Sequence, residues 1–153
     1  MIKMLVERIL EDFLVENLDL IEPNLELLER QFYMAGKGKI DLLCKDKNNK
    51  IVVIEIKKYA SFSSIDQLIS YGKDIKEFIK KEDVRLILVC LDKNKDISAL
   101  CKKNNIKFIQ IKDKRIPKPG QFNYLSRIHR QIIDRFLSNT SSMITFPYFL
   151  STE

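Results

Sequence analysis

A mixed α/β fold, one sheet with helices on both faces, is what this sequence predicts. Three observations carry the prediction. Two strand-type runs, Lys39–Lys45 and Ile51–Lys57, are joined by the short polar stretch Lys45–Lys50, the pattern of a β-hairpin. Next, the helical periodicity of Ile65–Lys81 is followed by the almost unbroken apolar run Val84–Leu91, which reads as a strand buried on both faces. Strand, crossover helix and buried strand in succession imply a right-handed parallel βαβ unit. Finally, 153 residues with 45% apolar and 31% charged side chains make one soluble domain with room for a single sizeable core.

Taken in order, Met1–Leu18 is an amphipathic helix, with Ile2, Leu5, Val6, Ile9, Leu10, Phe13 and Leu14 at helical spacing. Pro23 ends that unit. Leu25–Met34 is the first strand, and Ala35–Gly38 supplies turn residues, with a bulge, before the second strand Lys39–Lys45. The hairpin then delivers Ile51–Lys57. Ser61–Ser64 offers caps for the helix Ile65–Lys81, whose inward stripe is Ile65, Leu68, Ile69, Gly72, Ile75 and Ile79. After the strand Val84–Leu91, Asp96 caps a short helix that closes at Asn104, and Ile106–Ile111 alternates as a further strand. Lys112–Gly120 is a basic, proline-containing loop. Gln121–Ser138 closes the fold as a helix, with Arg127, Arg130 and Arg135 on its outer side. Residues 1–138 thus form one domain, and 139–153 a tail with aromatics but no clear period, suited to packing on the domain or on a second subunit.

Charge is unevenly spread. Residues 1–35 hold three basic and eight acidic side chains, while the overall net charge is +6, so the rest of the chain is strongly basic. A basic body suits a polyanionic partner, because neutralising phosphates releases counterions. The three cysteines, Cys44, Cys90 and Cys101, have no metal-type spacing, and two of them lie in apolar strands as small hydrophobes. The longest apolar runs are strand length, short of a membrane span, and no secretory pattern opens the chain. A cytoplasmic protein with no membrane partner is expected.

The hairpin also holds the chemistry. Asp41, Glu55 and Lys57 stand amid aliphatic strand residues. Side chains alternate along a strand, so Glu55 and Lys57 share a face. Burying such charges is expensive unless something pairs them, and a divalent metal ion with a phosphodiester would. On the first helix, Glu11 falls among Met4, Val15 and Leu18, a more apolar surrounding than a solvated carboxylate favours, with Glu7 one turn before it. Gln67 and Tyr71 are one turn apart beside the inward stripe of their helix. The lone His129 reads as an ordinary surface or core-edge residue.

In Glu7-Arg-Ile-Leu-Glu11-Asp-Phe-Leu, Asn17-Leu-Asp-Leu-Ile-Glu22, Gly38-Lys-Ile-Asp41-Leu-Leu, Val53-Ile-Glu55-Ile-Lys57 and Gln67-Leu-Ile-Ser-Tyr71, the chain resembles the PD-(D/E)XK nuclease superfamily. Within it, the chain looks most similar to the catalytic domain of NucS-type endonucleases. The motifs run from Glu7 to Tyr71, about half the chain. An aspartate fourteen residues before Glu-x-Lys, followed by Gln-x-x-x-Tyr on a helix, is far more specific than Glu-x-Lys alone.

The resemblance implies a restriction-endonuclease-like αβββαβ core with an added C-terminal helix. It also implies a metal-dependent DNA endonuclease that hydrolyses phosphodiester bonds with metal-activated water. Asp41 and Glu55 would be direct ligands of Mg2+ (with Mn2+ as a substitute), joined by the backbone carbonyl of Ile56 and, directly or through water, by Glu11, with Glu7 as the alternative helix carboxylate. Lys57 would orient the attacking water or stabilise phosphorane charge, Gln67 would brace the site or touch the scissile backbone, and Tyr71, one turn further on, would support the ligands from behind or touch DNA. Read from the residues alone, Arg127, Arg130 and Arg135 would either meet the DNA backbone or simply solubilise their helix. The expected partners are DNA, branched or single-stranded DNA included, and a second copy of the chain in a homodimer. A Holliday-junction resolvase, or a nucleic-acid-binding protein that keeps the fold without turnover, stands as the alternative.

Overall fold

The computed structural model of the chain describes residues 2–116. Its elements run α1 (Ile2–Val15), a 3-10 turn at Leu18–Leu20, β1 (Glu26–Met34), β2 (Gly38–Lys45), β3 (Ile51–Ala60), α2 (Phe62–Ile79), β4 (Val84–Lys93), α3 (Ile97–Lys103) and β5 (Ile106–Gln110). The five strands form one sheet in the order β1-β2-β3-β4-β5. β1, β2 and β3 pair antiparallel, and β3, β4 and β5 pair parallel. The mixed sheet expected from the sequence is therefore present. The helix expected at Gln121–Ser138, with Arg127, Arg130 and Arg135, and the tail 139–153 lie outside the described residues.

Each face of the sheet has its own core. On one, Val6, Leu10 and Leu14 of α1 pack on Leu42, Cys44, Val52, Ile54, Ile56, Ile87 and Val89. On the other, Ile65, Leu68, Tyr71 and Ile75 of α2 and Ile97 and Cys101 of α3 pack on Leu43, Val53, Leu88 and Cys90. The central strands β3 and β4 are thus covered twice, which is why their sequences read as nearly continuous apolar runs. Each fully buried aliphatic side chain contributes about 1.5–3 kcal/mol to this arrangement. All three cysteines are buried free thiols within these cores, and burial pushes Cys44 and Cys90 up to about 12.

Local chemistry sets the connections. In the β2–β3 turn, one carboxylate oxygen of Asp46 accepts the N–H groups of Asn48 (2.8 Å) and Lys50 (3.0 Å), and Asn49 adopts the left-handed conformation that asparagine tolerates. α2 begins three residues earlier than its apolar stripe suggests, because Ser61 is the N-cap and its N–H donates to the Ser64 hydroxyl (3.1 Å). It closes at Lys80 in the left-handed conformation. Asp96 does hold the N-cap position of α3, but without a side-chain capping bond. α1 stops at Val15 instead of Leu18, where Asn17 turns its amide back onto the Phe13 carbonyl (2.8 Å) and the 3-10 turn begins.

The bulge expected near Ala35–Gly38 is displaced. That segment is a turn, with Gly36 and Gly38 at φ +75° and +103°, whereas the β1–β2 register shifts between Leu27 and Glu29. Gln31, inside β1, adopts φ +49°.

Candidate active site

β2 and β3 pair from Lys45↔Ile51 to Leu42↔Ile54 and no further. One residue past that point, β2 presents Asp41 and β3 presents Glu55. The N–H of Ile56, left without a ladder partner on β2, donates instead to Asp41 Oδ2 at 2.8 Å. A carboxylate fills the gap where the two strands part. On β3, Lys57 follows two residues later on the same side as Glu55, and its Nζ lies 3.2 Å from Glu55 Oε1. The other oxygen, Glu55 Oε2, is buried and has no hydrogen-bond partner. Glu55 as a whole is only 2% exposed.

The electrostatics follow from that crowding. Burial, reinforced by the charge of Asp41, pushes the Glu55 carboxyl up to about 8, against the pull of Lys57. Burial likewise lifts Asp41 to about 6, opposed by the Ile56 N–H and by Lys57 and aided by the charges of Glu11 and Glu7. For Lys57, burial works against the ammonium, but Glu55, Glu7 and Asp41 outweigh it and the pKa is raised. Two carboxyls forced together in a poorly solvated fork, with one orphaned oxygen, form a site short of positive charge.

α1 contributes both of its glutamates, in different ways. Glu7 Oε1 accepts the N–H of Lys58 (3.2 Å), so Glu7 sits against the strand that carries Glu55 and Lys57. Glu11 is buried and fully engaged: Arg30 binds its Oε1 (3.0 Å) and the Gln31 amide binds its Oε2 (2.6 Å). Arg30 also pairs with Asp12. The same Gln31 nitrogen lies 3.4 Å from Asp41 Oδ1. Glu11 therefore reaches Asp41 through Gln31.

The structure thus brings Asp41, Glu55, Lys57 and the peptide of Ile56 together, with Glu7 and, at one remove, Glu11. Among the described residues no three His, Cys, Asp or Glu side chains converge as a ready-made ligand cage; Glu11 is held by Arg30 and Gln31. Gln67 donates to the Tyr71 hydroxyl (2.8 Å), and no hydrogen bond links it to the carboxylates. Tyr71 is buried, with its hydroxyl 3.0 Å from where a Cβ on Gly38 would stand, so the pair supports the start of β2 that leads to Asp41. Sequence reasoning passed over Arg30 and Gln31. The signal was there in register: with Arg30↔Leu42 and Phe32↔Ile40 paired, Gln31 stands opposite Asp41, but that pairing is not readable from spacing alone.

The donor set fits a hard divalent cation: two carboxyls in a fork, one oxygen unsatisfied, and pKa values raised by burial and by neighbouring carboxylates. Among the described residues no helix is long and apolar enough to cross a membrane.

Residues 6–123 match the model of the endonuclease NucS C-terminal domain. Among curated proteins, the chain is 32% identical over 124 residues to Endonuclease NucS of Sulfolobus acidocaldarius, covering 78% of this chain and 48% of the relative. It is 33% identical over 98 residues to that of Methanocaldococcus jannaschii, covering 63% of this chain and 37% of the relative. Among solved structures it resembles a repair endonuclease from Pyrococcus abyssi, with a TM-score of 0.60, 26% identity and coverage of 69% of this chain and 45% of the other. An EndoMS–dsDNA complex gives a TM-score of 0.60 with 28% identity, over 70% of this chain and 43% of the other. The chain spans about half the length, or less, of the relatives it matches.

Proposed function

The chain belongs to the endonuclease NucS C-terminal domain family, and on that footing we propose that it is a metal-dependent DNA endonuclease with a PD-(D/E)XK site. The observation that carries the reading is the fork of β2 and β3, where Asp41 and Glu55 are held together with one buried, unpartnered carboxylate oxygen. The endonuclease names of its relatives and the double-stranded DNA in one structural neighbour point the same way.

Asp41 and Glu55, with the Ile56 carbonyl beside them, would hold Mg2+ or Mn2+. When bound, such a cation supplies Lewis-acid charge to a phosphate oxygen and acidifies a water molecule. The chain's own residues prepare the rest. Glu55 Oε1 anchors the Lys57 ammonium at 3.2 Å, and the neighbouring carboxylates keep it protonated. Lys57 is therefore a donor: it orients the attacking water and stabilises the charge that develops on phosphorus, and it is not a general base. Glu7 is the helix carboxylate that touches β3, at the Lys58 N–H, and its charge helps hold the Lys57 proton. Gln67 and Tyr71 brace β2. The basic residues Arg127, Arg130 and Arg135 would contact phosphates without reading sequence, and a homodimer would place two such sites on two strands.

The test is cleavage of supercoiled, single-stranded, flapped and four-way DNA with magnesium or manganese. Wild type should cut at least one of them, and Asp41→Ala and Glu55→Ala should not. Cleavage by these variants equal to wild type, or none by wild type, refutes the reading.

A further inference from the structure

Arg30 and Gln31 are consecutive in β1, and consecutive strand residues point to opposite faces. Here both reach the same carboxylate, Glu11, at 3.0 and 2.6 Å. The backbone explains how: Gln31 takes φ +49°, the left-handed region that a residue with a long side chain seldom adopts inside a strand. That turn breaks the alternation and swings the amide onto the side of Glu11. Backbone strain held in place by its surroundings clusters at functional sites.

The amide is chemically suited to the position it reaches. It lies between two carboxylates, so the nitrogen and not the carbonyl must face both, and an amide nitrogen has two hydrogens. One goes to Glu11 Oε2, the other toward Asp41 Oδ1 at 3.4 Å, the long end of a hydrogen bond. Glu11 Oε1 is already taken by Arg30, whose guanidinium also holds Asp12. A glutamate at this position would instead gather three carboxylates.

We propose that Gln31 is a positioning residue for Asp41, clamped by the Arg30–Glu11 pair so that its second amide hydrogen fixes the carboxylate that receives the metal ion. The inference rests on the endonuclease reading above. It assigns Glu11 an indirect role, through Gln31, in place of ligation. Partners that orient a metal ligand typically account for about 10–100-fold in affinity or activity.

The decisive variant is Gln31→Gly, since glycine accepts φ +49° without strain and removes the side chain, amide included. The readouts are the affinity of the full chain for Mn2+ alone, by calorimetry, and Tm in chelator. Expected is a Mn2+ affinity at least about 10-fold weaker with Tm unchanged or higher. Should Gln31→Gly lower Tm, Gln31→Asn, tolerant of the left-handed region but one methylene short, is expected to show the same loss of affinity at wild-type Tm. Glu11→Gln should weaken Mn2+ binding in the same direction, and the double variant should be no worse than the weaker single, as parts of one relay are not additive. Wild-type Mn2+ affinity in both Gln31 variants, or full additivity with Glu11→Gln, overturns the role of Gln31. Wild-type protein that neither binds Mn2+ nor cuts any DNA overturns the endonuclease reading as well.

Discussion

Replacing Glu55 by glutamine should make the metal-free protein more stable and inactive. Glu55 is buried, its Oε2 has no partner, and its pKa is raised from 4.5 to about 8. Below pH 4.5 the carboxyl is protonated in folded and unfolded chains alike and costs nothing. As pH rises from 4.5 towards 8, the unfolded chain releases the proton while the folded chain keeps it, so stability falls; above about 8 the loss is complete. Counted to pH 8 at about 1.4 kcal/mol per pH unit, the loss is about 4 kcal/mol. Glutamine removes it but also deprives Lys57 of its partner, which leaves a net gain of about 1–3 kcal/mol at pH 8. For a chain of this size that is a rise in Tm of about 3–9 °C. The assay is thermal unfolding by circular dichroism in chelator at pH 5 and pH 8. Glu55→Gln and wild type should nearly coincide at pH 5 and separate at pH 8, and saturating Mn2+ should raise wild type alone. A difference in Tm that is the same at both pH values refutes the argument that burial and Asp41 hold this carboxyl neutral.

Lys57→Ala should slow single-turnover cleavage by about 100–1000-fold, the usual effect of losing one charge-stabilising donor, with Mn2+ affinity unchanged or tighter; a matching loss of Mn2+ binding would reassign Lys57 to holding the site together. Arg85 ties β4 to Glu22 (2.8 Å to each oxygen) and to Asp46 (2.9 Å), so Arg85→Ala should cost about 2–3 kcal/mol of stability in urea denaturation at pH 7 while leaving cleavage intact. Glu22 is held down at about 2 by Arg85 first and Lys107 next, so the cost should shrink as pH falls from 4.5 towards 2; a pH-independent cost would contradict the pairing. Gly38→Ala puts a Cβ at φ +103° within 3.0 Å of the Tyr71 hydroxyl. It should destabilise by about 1–2 kcal/mol, read as a lower urea midpoint, and a neutral result would mean that Tyr71 is free to move.

Much of the fold was legible because both periods were clean. The α1 stripe of Val6, Leu10 and Leu14, the α2 stripe of Ile65, Leu68, Gly72 and Ile75, and the apolar β3 and β4 runs each meet the core that their spacing implies. Element ends were less so: Phe62 begins α2 because Ser61 and Ser64 cap it, a hydrogen bond that outweighs the position of the first inward isoleucine. β1 was legible as a strand but not in its internal geometry, since nothing local in Glu29-Arg30-Gln31-Phe32 announces a positive φ. That conformation is set by what waits on α1.

The sequence alone determined that Asp41, Glu55 and Lys57 lie on the two strands of one hairpin, and alternation put Glu55 and Lys57 on one side. Their chemistry, carboxylates with a lysine in apolar strand, was readable without coordinates. Only the tertiary structure decided how α1 is used. Glu7 and Glu11 are one turn apart and share a helix face, yet Glu7 lands on β3 beside Lys57 while Glu11 is captured by Arg30 and Gln31. The reason is physical: spacing along a helix fixes which residues share a face, but the partner each one meets depends on the sheet beneath it, and that sheet is assembled from residues 19 to 51 positions away.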